Sequence, residues 1–472
     1  MSDRFAIRSH RVITPTGQRP ACVVIQEGHI EQLLNVDATP ACPLQDCGDA
    51  LLLPGLVDSH VHINEPGRTD WEGFSTATRA AAAGGITTLI DMPLNCIPVT
   101  TSAPALASKL AALTGKLQVD CGFWGGATAD NAAQFEALLQ AGVFGSKSFT
   151  IDSGIDEFSA VEAEQLLPRM RLLAQYNLPC LVHAELERKP TGTTATSPQT
   201  ANTRDIGRSY QRFLQSRPAR WENDAVAMVI DCMHRLCDEG LDPAAHIVHL
   251  SSAQALNSIR SARQQGLRLT VETCPHYLTL HAEAIGDGNT LFKCCPPIRE
   301  RANQDQLWQA IKDGDIDFIV SDHSPCTPQL KALESGDLGQ AWGGIAALQF
   351  GLPLLWTEGQ KQGLEITDIT RLMSTRVADF LGLGTEKGRI APGFSADLCL
   401  FDDHDSYRIS TDMIAHRHKI SPYIGHRVSG RVLKTWLRGE LVYDQGVFPS
   451  PPRGQALLKV PDTPSSESRF PT

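Results

Sequence analysis

Residues 53–70 read LPGLVDSHVHINEPGRTD, an apolar, strand-like run that carries His60 and His62 and stops at a Glu-Pro-Gly turn. In an extended strand, residues i and i+2 project to the same face, so the two imidazoles point together. Taken alone, such a pair suits buried ring packing as well as it suits metal ligation. The runs that follow it decide both that question and the fold.

From residue 55 onward, short β-runs alternate with helical stretches. The β-runs are LVDSHVHI, ITTLIDMP, LQVDCGFWG, VFGSKSF, LPCLVHAE, HIVHLSS, RLTVETCPHYL and IDFIVSDHSP. Between them lie segments such as WEGFSTATRAAAAG and NAAQFEALLQAG, whose apolar spacing is near 3.6 and which stop at glycine. Eight β-runs alternating with helices predict an α/β fold of the (β/α)8 TIM-type barrel over residues 55–385. No glycine-rich dinucleotide fingerprint follows the first strand to favour a doubly wound sheet. Residues 1–54 and 386–450 have strand texture with Gly and Pro turns, and predict one small β-domain built from both ends of the chain. Residues 451–472, rich in Pro and Ser, are expected to form a flexible tail. Residues 188–220 make an unusually long connection between strands five and six, of the kind that forms a loop at a barrel rim.

A formal net charge of -11 argues against nucleic acid or an anionic membrane as partner. No apolar run has membrane-spanning length, and the N-terminal residues lack the apolar core of a secretory signal. The 13 cysteines are scattered, with no C-x-x-C pair, so neither a disulfide framework nor a cysteine-based zinc site is expected. Reduced thiols in a cytoplasm are the expectation.

Four further β-runs end as the first one does. Lys147 closes VFGSKSF, His183 closes LPCLVHAE, His249 closes HIVHLSS and Asp322 closes IDFIVSDHSP. All lie at the C-terminal ends of predicted barrel strands, where barrel active sites are built. Buried lysines and aspartates are rare unless paired or bound to metal. Imidazoles and a carboxylate suit zinc or a similar divalent ion, but six ligands exceed what one catalytic zinc uses. Two divalent ions roughly 3.5–4 Å apart would use them all. A protonated Lys147 would repel both. Made neutral, its amine can add carbon dioxide to form a carbamate, which bridges two ions as a carboxylate does.

DSHVHINEPGRTDWEGF, AAAAGGITTLIDMPLNCIPVT, GSKSFT, LVHAE, VHLSS, ETCPHYL, CCPPIR, SDHSPC and AWGGI together resemble the cyclic amidohydrolases of the amidohydrolase superfamily, and within them the allantoinase family. The resemblance runs from about residue 5 to about residue 445. It implies that His60, His62, carbamylated Lys147 and Asp322 hold one zinc, while Lys147, His183 and His249 hold the other. It further implies ring-opening hydrolysis of allantoin to allantoate, with Asp322 as base and then acid, in a homo-oligomer, a tetramer among relatives. Dihydroorotases are similar at the first strand but carry an arginine where Asn64 stands here. An amide serves an anionic ring poorly, so Asn64 is expected to contact a neutral substrate. Hydantoinases carry a tyrosine soon after the lysine, and none follows Lys147 here. They tend to have serine at the place of Cys295. Asn95, Cys295 and Gly343 are further expected substrate contacts. His323 is expected to support packing, and His276 is expected near the cavity or in a structural hydrogen bond.

Overall fold

The computed structural model describes residues 4–187, 206–449 and 451–460. Eight parallel strands make the barrel: Leu56–Val61, Ile86–Asp91, Asp120–Phe123, Ser146–Phe149, Cys180–His183, Ala244–Ile247, Arg268–Thr273 and Phe318–Ile319. The first three strands pair in order, and the last six pair through the continuation of the third at Gly125–Gly126. Closure comes from a parallel bridge between Val61 and His323, where the His62 amide donates to the His323 carbonyl at 2.8 Å. The first three of these strands, and the fourth and fifth, are buried along their whole length. Burial on both faces is why they show no regular alternation of apolar and polar residues.

The helices cover the outside through one apolar face each. The first, Phe74–Ala83, buries Phe74, Ala77 and Ala80 to Ala83, and its small side chains let it lie close to the sheet. Before the fourth strand, Gly145 has φ +153, and a Cβ there would stand 2.5 Å from the Pro179 carbonyl oxygen. Only glycine fits that turn, and the turn aims the strand that delivers Lys147.

Both ends of the chain supply the second sheet. Its order is Glu440–Asp444, Arg427–Leu437, Leu398–Arg408, Leu51–Pro54, Arg4–Thr14, Gly17–Gln26 and His29–Leu34, with Leu44–Asp46 beside Arg4–Thr14. The two halves meet where Leu51–Pro54 pairs antiparallel with Leu398–Arg408, one residue before the first barrel strand begins. Sheet and barrel are pinned by a buried ion cluster. Lys387 reaches Asp120 at 2.9 Å and Asp397 at 2.6 Å, and Arg438 reaches Asp120 at 2.5 Å.

The expected flexible tail does not start at residue 451. The Gln455 amide donates to Asp120 at 2.9 Å, Ala456 bridges Cys121, and the Leu457 amide donates to the Cys121 carbonyl at 2.8 Å. Backbone pairing needs no particular side chain, which is why a composition rich in Pro and Ser concealed it. Residues 461–472 lie outside the described residues, as do residues 188–205 of the long connection. Among the described residues no helix is long and apolar enough to cross a membrane.

Candidate active site

The barrel brings all six strand-end residues to one cavity of about 520 Å³, lined by His60, His62, Lys147, His183, His249 and Asp322. A cavity of about 610 Å³ between Arg79, Tyr407 and Phe448, at the junction with the second sheet, meets none of them. Size alone does not place the chemistry.

Asp322 Oδ1 stands 3.2 Å from His60 Nε2 and 3.6 Å from His62 Nε2. One ligand atom from each of the three lies within 4.8 Å of the others. The His249 ring centroid is 5.3 Å from that of His60 and 4.5 Å from that of His183. Lys147 is fully buried beside them, and its Nζ has no hydrogen-bond partner. His60 Nε2 and His249 Nδ1 are likewise buried without one. Native interiors rarely leave such atoms unsatisfied, and here three of them converge. Imidazole nitrogens, one carboxylate and a lysine amine freed of its proton form a donor set that fits divalent cations.

A second layer orients the ligands. His60 Nδ1 contacts Glu272 Oε1, leaving Nε2 turned toward Asp322. The other Glu272 oxygen is 3.1 Å from His246 Nε2, and the His249 amide donates to Glu272 at 3.2 Å. His62 Nδ1 lies 3.3 Å from the Asn95 carboxamide. His183 Nε2 is 3.0 Å from Glu185, whose same oxygen accepts from Arg217 Nη1 at 2.5 Å. Carboxylates behind ligating histidines fix the tautomer and raise ligand basicity.

Electrostatics separate the groups by role. Burial pushes the Lys147 amine down to about 8, only partly opposed by Asp322 and Glu272. Burial likewise lowers His62 and His183 to about 4, so both rings are neutral and able to ligate at pH 7. Burial alone would raise Asp322, but His60 and then His62 outweigh it and hold the carboxyl below its ordinary value. For Glu185, Arg217 and His183 outweigh burial and bring the carboxyl to about 2.

Asn95, Cys295 and Gly343 line the same cavity. Asn64 does not. Its backbone takes φ +66, its side chain is 1% exposed, and Nδ2 donates to the Pro325 carbonyl at 3.2 Å. Asn95, His249 and Asp322 also have positive φ, at +70, +39 and +43. Outside glycine this is an uncommon, strained state that clusters at functional sites. His323 points away from the cavity, accepting the Ala347 amide at 3.1 Å and the Leu348 amide at 3.3 Å. His276 is fully buried outside the lining, with both ring nitrogens lacking a hydrogen-bond partner. Sequence reading assigned no role to Glu185, Arg217, Glu272, Lys293 or Lys331. Of these, Glu185 carried a signal, since it stands two residues after His183 in the run LPCLVHAE, although the strand itself ends at His183.

A parallel barrel carrying this cluster at its C-terminal mouth agrees with the match of residues 51–442 to the amidohydrolase family, and the chain belongs to that family. Members are metal-dependent hydrolases. The allantoinase of Streptomyces avermitilis is 47% identical, over 98% of this chain and 100% of that one. That of Saccharomyces cerevisiae is 42% identical, over 96% and 98%. Among solved structures, the L-hydantoinase (dihydropyrimidinase) of Arthrobacter aurescens superimposes with a TM-score of 0.87 at 25% identity, covering 97% of this chain and 100% of that one.

Proposed function

We propose that the protein opens the hydantoin ring of allantoin by hydrolysis, giving allantoate. The observation that carries this reading is the state of the cations in the cavity. Among the described lining residues, Arg217 is bound to Glu185 and Lys293 donates to the Ala341 carbonyl, while Lys147 sits among the ligands. Of these, Arg217 and Lys293 are thus already engaged within the protein, and the acidic side chains at the rim, Asp152 and Glu187, disfavour a ring carboxylate. A neutral ring rich in urea groups fits that wall, and the relatives at 47% and 42% identity are allantoinases.

We assign His60, His62, Lys147 and Asp322 to one divalent ion and Lys147, His183 and His249 to the other, with zinc as the expected metal and Lys147 as its carbamate. The unpartnered Nζ, whose amine burial lowers to about 8 and so makes easier to deprotonate, supports that modification. Two ions bound there would polarise the ring carbonyl and acidify an attacking water. The chain's own part is proton transfer. Asp322 is ionised because its carboxyl is held below the ordinary range, so it can accept a proton as water adds to the carbonyl carbon. The C–N bond then breaks, and Asp322 returns the proton to the departing ring nitrogen. Its low proton affinity makes that return easy. The carbonyl carbon stays on the opened product as a carboxyl group, which releases the second proton of the added water to solvent and becomes a carboxylate.

The test is a panel of allantoin, hydantoin, dihydrouracil and dihydroorotate incubated with zinc-loaded protein, reading the opened acids. Preferential turnover of allantoin is expected. Faster opening of hydantoin or dihydrouracil would move the substrate assignment to the hydantoinase type, and no hydrolysis at all would leave a non-catalytic scaffold.

A further inference from the structure

Three buried cations of this protein have a carboxylate beside them: Lys109 has Asp91, Lys387 has Asp120 and Asp397, and Arg299 has Glu222. Lys293 and Lys331 have none among the described residues. They are 9% and 3% exposed, and their hydrogen bonds go to backbone carbonyls. Lys331 Nζ donates to the Lys293 carbonyl at 2.9 Å, to that of Trp342 at 3.0 Å and to that of Gly344 at 2.5 Å. Lys293 Nζ donates in turn to the Ala341 carbonyl at 2.5 Å. Burying an ammonium without a counter-charge is unfavourable, so an arrangement that does so twice calls for a reason.

The carbonyls supply one. Lys293 lies on the loop after the seventh barrel strand, two residues before Cys295. Ala341, Trp342 and Gly344 lie on the loop after the eighth, around Gly343. The two ammonium groups therefore tie together the two loops that form one wall of the cavity. The gap they hold is narrow, since a Cβ at Gly343 would stand 2.9 Å from Cys295 Sγ. The carbonyls flanking Gly343 on both sides are taken by Lys331. The peptide groups of Gly343 itself are left to present a donor and an acceptor to a ligand.

We propose that Lys293 and Lys331 are positioning residues that fix the Gly343 backbone against Cys295, so that this wall receives the planar, neutral ureido substituent of the substrate rather than its ring. This deepens the allantoin reading and rests on it. Allantoin carries a ureido substituent beyond its ring, whereas hydantoin has the ring alone. A wall that reads the substituent affects the first substrate and spares the second.

Lys331→Met keeps the length of the side chain and removes all three donors. Purified, zinc-loaded variant and parent are compared for metal content, melting temperature, and kcat and KM on allantoin and on hydantoin. The expected result is an unchanged metal content, a KM for allantoin raised at least tenfold, and a KM for hydantoin changed far less. Equal losses on both substrates, loss of metal, or no change on either would overturn the proposal. If Lys331→Met does not fold, Lys293→Met removes only the bond to Ala341 and is judged by the same readouts. Should the parent protein open hydantoin but not allantoin, the substrate reading fails before either variant is measured. That outcome is distinct from failure of the clamp.

Discussion

Lys109 and Lys147 are both buried, at 1% and 0% exposure, yet their surroundings are opposite. Lys109 reaches from the helix Ala103–Ala112 to Asp91 at 2.5 Å and to the Met92 carbonyl at 3.2 Å. Burial lowers its amine, but Asp91 outweighs burial and holds it above the ordinary value. Lys147 has no hydrogen-bond partner, and burial takes its amine down to about 8. Burial is common to both, so it is the presence of a partner within the protein that sorts them. A buried cation that the chain satisfies is scaffold. One that it leaves unsatisfied among three neutral imidazoles is half of a site whose other half comes from solution.

The strongest way to break this contrast is Lys147→Ala. With Lys147 as the proposed bridge, its removal is expected to take metal from about two ions per chain to well below one. It should cost at least about 4 kcal/mol of transition-state stabilisation, roughly a thousandfold in kcat/KM. Metal analysis beside the allantoin assay checks it, and retention of both metal and rate would remove the carbamate from the reading.

Lys109→Met attacks the other side. It leaves Asp91 buried without its cation, and about 3–5 kcal/mol of stability should be lost in denaturant unfolding. Metal content per folded chain should stay at the parental level. The pH dependence follows from the direction of the shift. Because the folded amine is raised above its unfolded value, the contribution is complete below the ordinary lysine range and disappears as pH rises through the folded value. The lysine's contribution to the difference between parent and variant should therefore fade only in strong alkali, while on the acid side the gap narrows as the unpaired Asp91 of the variant, raised by burial, takes up a proton. A gap that widened as pH fell would assign the effect to another group.

Glu185→Gln lies between the two. Glu185 is satisfied by Arg217, yet it touches the ligand His183. Losing its charge should weaken metal binding or rate by about 10–100-fold, the usual range for partners behind a metal ligand. Titrating the metal-stripped variant with zinc measures this directly. An unchanged affinity would make Glu185 a scaffold residue like Asp91.

The barrel and its six strand-end residues were legible because each is a polar or ionisable break at the end of an apolar run. That pattern is local. The layer behind them was not legible, because Glu272 meets His60 212 positions away in the chain and Arg217 meets Glu185 32 positions away. Spacing along one strand says nothing about such partners. The lysine clamp was hidden for a related reason. Its acceptors are backbone carbonyls, which every residue has, so no side-chain pattern marks Lys293 and Lys331. Residues 455–457 were misread in the same way, through backbone pairing to Cys121.

Asn64 is the case where a local pattern misled, and it provides the finest test. It was expected at the substrate because dihydroorotases carry an arginine at its place, but the strand ends at Val61 and Asn64 has turned to φ +66. There the side chain serves the turn. Asn64→Gly should keep that conformation and lose the bond to Pro325, for about 1 kcal/mol of stability. Asn64→Ala should lose roughly 1 kcal/mol more, because a Cβ is disfavoured at positive φ. Neither change should alter KM for allantoin. A tenfold rise in KM with Asn64→Gly, equivalent to about 1.4 kcal/mol of binding, would return this residue to the substrate.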